Sequence, residues 1–212
     1  VLVVDAAGSS PAPHELAQVD LGACIETLAP RVGYLAARGL PLAHVDTRGS
    51  AAGFINAVQM AAPQTDVVLM HADASDLVRL FKHRAVRPVL LGADHPESIK
   101  HAYASAKLLV GRCQLMTFDL LLVSAPNSPR VAAIGHSLAE CADRFLGATL
   151  LSNALVDPAG DPQASPDDAL AELLGAQLAL DELSAPAPLA DFPPRARAFT
   201  GGSGRPAHPD LS

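Results

Sequence analysis

The residues that could do chemistry here sit mostly at the ends of apolar runs. VLVVDA (1–6) ends in Asp5, and DVVLM (66–70) is followed by His71-Ala72-Asp73. In a nucleotide-binding α/β domain, the loop after such a buried strand usually begins with an acid that serves a metal ion. Here that position holds His71, and a neutral imidazole is a poor partner for the hard Mg²⁺ ion. Asp73, two residues on, is the acid left to serve a metal. GHSLA (135–139) resembles a nucleophile elbow around Ser137, with Asp157 and His208 following in the required order. An elbow needs a strand immediately before its Ser. The residues PRVAAI instead continue a helical stripe through Leu138, Ala142 and Phe145, so Ser137 reads as a helix-surface residue. No H-x-x-x-H or H-E-x-x-H occurs, and His95 and His101 read as capping and solvent-facing rather than as zinc ligands. VLVVDAAGSS has one Gly where a dinucleotide fingerprint needs three.

The elements that must position these residues alternate. Strands are expected at 1–6, 31–37, 66–70, 87–93 and 115–125, with a short one within 149–158. Helices are expected at 19–28, 50–62, 97–111, 129–147 and 164–183, with a turn or two of helix over 76–83; 41–47 reads as irregular or strand-like. Pro63, Gly111 and Gly147 read as helix stops, and Pro96 suits a first turn. Asp167 and Asp168 suit the positive end of the last helix dipole. Continuous β-branched runs belong to strands covered on both faces. The pattern predicts an α/β domain over 1–184 with a mostly parallel sheet flanked by helices on both faces. Residues 185–212, rich in Pro, Gly and Ala, read as a disordered tail.

Composition narrows the function. The chain has 212 residues, of which 50% are hydrophobic and 17% charged, which suits one globular domain with a full core. With 4% aromatics and no Trp, an aromatic platform for single-stranded nucleic acid is disfavoured. A net charge of −7 without a basic run argues against any nucleic-acid partner. Cys24, Cys113 and Cys141 form no C-x-x-C and read as free thiols in a reducing cytosol. No apolar stretch reaches the roughly 20 residues of a membrane span, and no signal peptide is visible. The charges of the last helix are Asp167, Asp168, Glu172, Asp181 and Glu182, which anionic lipid would repel.

Two segments together resemble one family. DHPESIKHAYASAKLL (94–109) is similar to the strand-end and helix of the MinD/ParA class of P-loop ATPases, and most of all to its flagellar-number regulators. Pro96, Glu97, Ser98, Ile99, Ala102, Tyr103 and Lys107 carry that likeness. SPRVAAIGHSLAECADRFLGATLLSNALVDPAGDPQASP (128–166) resembles the family's helix ending in Phe-Leu-Gly, the strand after it and the acidic residue before the last helix. VLVVDA resembles the family's second strand, and DVVLM the strand that ends in the metal-associated acid. The likeness spans about residues 1–180.

The resemblance implies a cytoplasmic regulator of flagellum number or placement that binds ATP and Mg²⁺ and dimerises with ATP. Implied partners are a flagellar GTPase, a transcriptional activator and switch-complex proteins. Asp5, Ser124 and Asn127 would serve the nucleotide and Asp73 the metal, with Pro96, Glu97, Tyr103 and Lys107 on a partner or switch surface. The departures are specific. The family's first strand and Gly-Lys-Thr phosphate loop are absent from these residues, and are expected upstream of Val1. That strand lies inside the family's sheet, so a sheet without it would expose two unpaired edges. Ala7 replaces the second acid of an Asp-x-Asp, and His71 the metal-associated acid. Phosphoryl transfer depends on placed charge and metal, so losing two acids should cost several kcal/mol of barrier. At most a weak ATPase is expected. A non-catalytic scaffold on the same fold and a MinD-like accessory protein of cellulose synthesis are the alternatives.

Overall fold

The computed structural model describes residues 1–184 except His83 and Ala85, with the side chains of 180–184 outside the description. The expected tail at 185–212, and with it His208, lies outside the described residues. Seven strands and six helices alternate: β1 (Leu2–Asp5), β2 (Glu26–Ala29), β3 (Val32–Ala36), α1 (Leu40–Ala43), α2 (Ala52–Ala61), β4 (Val68–His71), α3 (Ala74–Leu80), β5 (Val89–Ala93), α4 (Pro96–Cys113), β6 (Thr117–Val123), α5 (Val131–Leu146), β7 (Thr149–Val156) and α6 (Asp168–Ser184).

The strands form two sheets rather than one. The first has the order β2-β3-β1-β4, and the second β5-β6-β7. All pairs are parallel except β2 with β3. In a strand, alternate residues point to opposite faces. Leu2 and Val4 therefore share one face, where they pack with Leu35, Phe54, Val58 and Leu80. Leu90, Phe118, Leu120 and Leu122 do the same in the second sheet, against Ala102, Ala106 and Leu109 of α4 and Ile134 and Leu138 of α5. Leu77 of α3 packs against both cores, so one helix joins the two sheets. Helices α2 to α5 thus lie on one face. Among the described residues only α6 covers the other, over β7, where Gln177 Nε2 reaches Asp119 Oδ2 at 2.7 Å. That second face stays half open: Leu69 is 49% exposed, Leu91 50% and Val123 37%.

Several expected elements differ. The helix expected at 19–28 is a 3-10 turn at Gly22–Cys24 followed by β2. The helical spacing of its apolar residues is overridden by pairing of Glu26, Thr27 and Ala29 with β3. The stretch read as irregular or strand-like at 41–47 opens with the short helix α1. Gly111 does not stop α4, which runs on to Cys113 and closes at Gln114 in the left-handed conformation, φ 57°. The last strand is not short: β7 has eight residues. The stop at Gly147 stands, with φ 62° and its N–H bonded to the Asp143 carbonyl.

Candidate functional site

The C-terminal end of the first sheet gathers the polar groups. In open α/β sheets ligands bind at that end. Asp5 closes β1 and His71 closes β4, and the parallel register sets them side by side. His71 Nδ1 lies 2.7 Å from Asp5 Oδ1. The Ser10 hydroxyl donates to the same oxygen, and the Tyr34 hydroxyl, from β3, donates to Oδ2 at 3.0 Å. Every oxygen of Asp5 is therefore engaged. Burial pushes its pKa up, but the hydrogen bonds from Ser10, His71 and Tyr34 outweigh that and hold the carboxyl below the usual range. Tyr34 responds in the opposite sense: burial and then its bond to Asp5 push the phenol up.

Asp73 does not join this group. Its Oδ2 accepts the Gly8 N–H at 2.9 Å, which ties the loop after β1 to the loop after β4. A Cβ at position 8 would stand 2.9 Å from that oxygen, so a larger residue would make the Asp73 side chain shift. Ala7 is buried and carries no acid.

The magnesium implied by the resemblance fits these residues poorly. Mg²⁺ takes an octahedral set of oxygens, usually with one or two carboxylates. Both oxygens of Asp5 already accept hydrogen bonds, Asp73 uses Oδ2 but not Oδ1 on a backbone amide, and His71 offers nitrogen. Among the described residues no group of three His, Cys, Asp or Glu side chains is placed to hold a metal ion.

The second sheet has its own polar end. Ser124 is buried where β6 ends; its N–H donates to the Val156 carbonyl and its hydroxyl to the Ala125 carbonyl at 3.2 Å. Asn127 is exposed in the loop that follows. Ser128 donates to Asp94, and Arg130 Nη1 stands 4.0 Å from the other Asp94 oxygen. Ser124 and Asn127 share no hydrogen bond with Asp5 or Asp73, so the sequence-predicted nucleotide residues fall into two clusters, one per sheet.

The residues expected on a partner surface divide. Pro96 and Glu97 are exposed in the first turn of α4, where Glu97 pairs with Lys100 at 2.6 Å. Lys107 is exposed, whereas Tyr103 packs against the second core. His95 caps α4, accepting the Glu97 N–H at 3.3 Å. Ser137 is exposed in the middle of α5, with no strand before it.

Sequence reasoning missed Ser10 and Tyr34, whose bonds to Asp5 depend on the fold of the chain between them. It also missed Asp119. This residue is fully buried in β6, bonded to the Ser152 N–H and hydroxyl and to Gln177, with Arg87 Nε 2.8 Å from Oδ2. A lone acid inside LMTFDLLLV is the signal that points to it, because a buried carboxylate requires partners.

No protein-family model matches the chain, and no curated protein matches it.

Proposed function

We propose that this chain is a regulator of the MinD/ParA class, acting on bacterial flagellum number or placement through protein partners, with a nucleotide site that no longer hydrolyses efficiently. The observation that carries this reading is the break in the sheet. β4 and β5 end their sheets and are not paired with each other, although α3 packs into both. On this reading, the family's inner first strand, the one bearing the phosphate loop, would pair with both of those edges. The hydrogen bonds on both Asp5 oxygens and the imidazole at position 71 support loss of hydrolysis. On this reading ATP, rather than its turnover, sets the partner-binding state, and Pro96, Glu97 and Lys107 are exposed residues available to a partner.

The same engaged Asp5 and the imidazole at position 71 favour a second reading, a scaffold on the same fold that uses no nucleotide. Titration calorimetry separates the two. ATP is titrated in magnesium buffer into the protein with whatever its gene encodes before Val1. Micromolar binding without turnover supports the switch; a flat trace supports the scaffold. Deleting the gene in its source bacterium and counting flagella tests the pathway. An unchanged count with altered cellulose output would move the protein to the cellulose alternative.

A further inference from the structure

We infer that this chain self-associates head to tail, the outer stripe of α6 on one copy seating in the basic groove between α3 and α4 of the next. The contact needs no nucleotide and leaves the polar cluster around Asp5 untouched.

α3 and α4 pack side by side, and the Cys113 thiol donates to the Val78 carbonyl at 3.8 Å. Between them runs a shallow groove of about 260 Å³ lined by Ser75, Val78, Arg79, Leu108 and Arg112. Val78 and Leu108 are half-buried and give it an apolar floor. Arg79 is paired with Asp76 at 2.8 Å. Arg112 and the neighbouring Lys107 are exposed and enter no salt bridge among the described residues. Positive charge is concentrated in this part of the chain. From Arg79 to Arg112 there are seven of the 15 Lys and Arg but only two of the 22 acids, Asp94 and Glu97, although the chain as a whole carries −7.

α6 offers the complement. Its inner side is fixed by buried Leu173 and by Gln177 on Asp119. On its outer side Leu174 and Leu178 lie one helical turn apart and are 43% and 50% exposed. Asp167, Asp168 and Glu172 are exposed as well, and α6 holds no basic residue. One turn also separates Ser75 from Arg79 and Leu108 from Arg112, so the leucine pair matches the groove in length. A second copy thus brings apolar side chains to the floor and carboxylates to the cations, and the opposite charges steer the approach. An anionic membrane would meet the cations but leave the leucine stripe in water. The groove and α6 lie on opposite faces of the second sheet. Each copy in a pair therefore keeps one surface free, and association continues beyond the dimer.

The test is sedimentation equilibrium on the whole gene product without nucleotide, from about 10 μM to about 1 mM. The contact is small, so a dissociation constant on the order of 100 μM is expected. The weight-average mass should climb past that of a dimer, and should fall in about 0.5 M salt. Arg112→Glu spoils the groove, and Leu174→Lys with Leu178→Lys spoils α6. All three positions are exposed, so melting temperatures should match the parent's. Each variant alone should associate at least about tenfold more weakly. Mixed in equal amounts, the two variants should regain the parent's affinity but stop at the dimer, because each pair holds one intact groove and one intact α6. A parent that stays monomeric or stops at a dimer would overturn the inference, as would a mixture no more associated than its parts. Pelleting of a monomeric parent, but not of Arg112→Glu, with phosphatidylglycerol vesicles would overturn it in favour of a lipid surface.

Discussion

Asp5 carries three hydrogen bonds on two oxygens, and its acidity follows from them. Its folded pKa is depressed despite burial. The sign for stability is therefore that of a paired carboxylate. The contribution is complete above the unfolded value of about 3.9 and is lost as pH falls through the lower folded value. Urea midpoints for the parent and Asp5→Asn should differ at pH 6 and converge as pH drops below about 4. Tyr34→Phe removes one donor and should cost about 1 kcal/mol in the same assay. Asp119 is a more severe case, because its removal strands Arg87, whose side chain is only 13% exposed. Asp119→Ala should cost about 3–5 kcal/mol by urea denaturation. Cys113 illustrates a milder effect: burial raises its thiol pKa. It should react with iodoacetamide more slowly than an exposed thiol at pH 8, as followed by mass spectrometry.

Helix ends show what local sequence can and cannot specify. Gly147 stops α5 because its φ of 62° is unstrained only for glycine. Gly147→Ala should cost about 1 kcal/mol, seen as a lower melting temperature. Gly111 offers the same residue type but lies inside α4, because Leu109 is buried in the second core and Val110 and Cys113 pack against it. The helix then closes on Gln114, a non-glycine at φ 57°. Gln114→Gly should relieve that strain and stabilise by roughly 0.5–1 kcal/mol. The same contrast governs the strands. β1, β4, β5 and β6 were legible as apolar runs, since strands in parallel sheets read that way. β2 was not, because three of its four residues are exposed and its pairing with β3 is a tertiary contact. At the candidate site, Asp5 and His71 were legible as strand ends. Their bond was not, because the register of β1 against β4 decides it.

The molecule as a whole is two sheets sharing α3, and the two end strands leave a pattern in their amides. The Val67 and His71 carbonyls accept from Leu2 and Ala6, and the Pro88 carbonyl accepts from Asp119 of β6. By the alternation of a parallel ladder, the N–H groups of Leu69 and His71 face β1, and those of Leu90 and Gly92 face β6. Those of Val68, Met70, Val89 and Leu91 face away and find no acceptor among the described residues. The Ala93 N–H also faces away, but the Ser98 hydroxyl accepts it at 2.8 Å. Hydrogen exchange should therefore run in an every-other-residue rhythm along β4 and β5, fast at Val68, Met70, Val89 and Leu91 and slow at their neighbours. An extended segment entering between the two strands would silence that rhythm. The same four amides are thus a built-in reporter: their protection registers whether the two halves stand apart or have become one sheet.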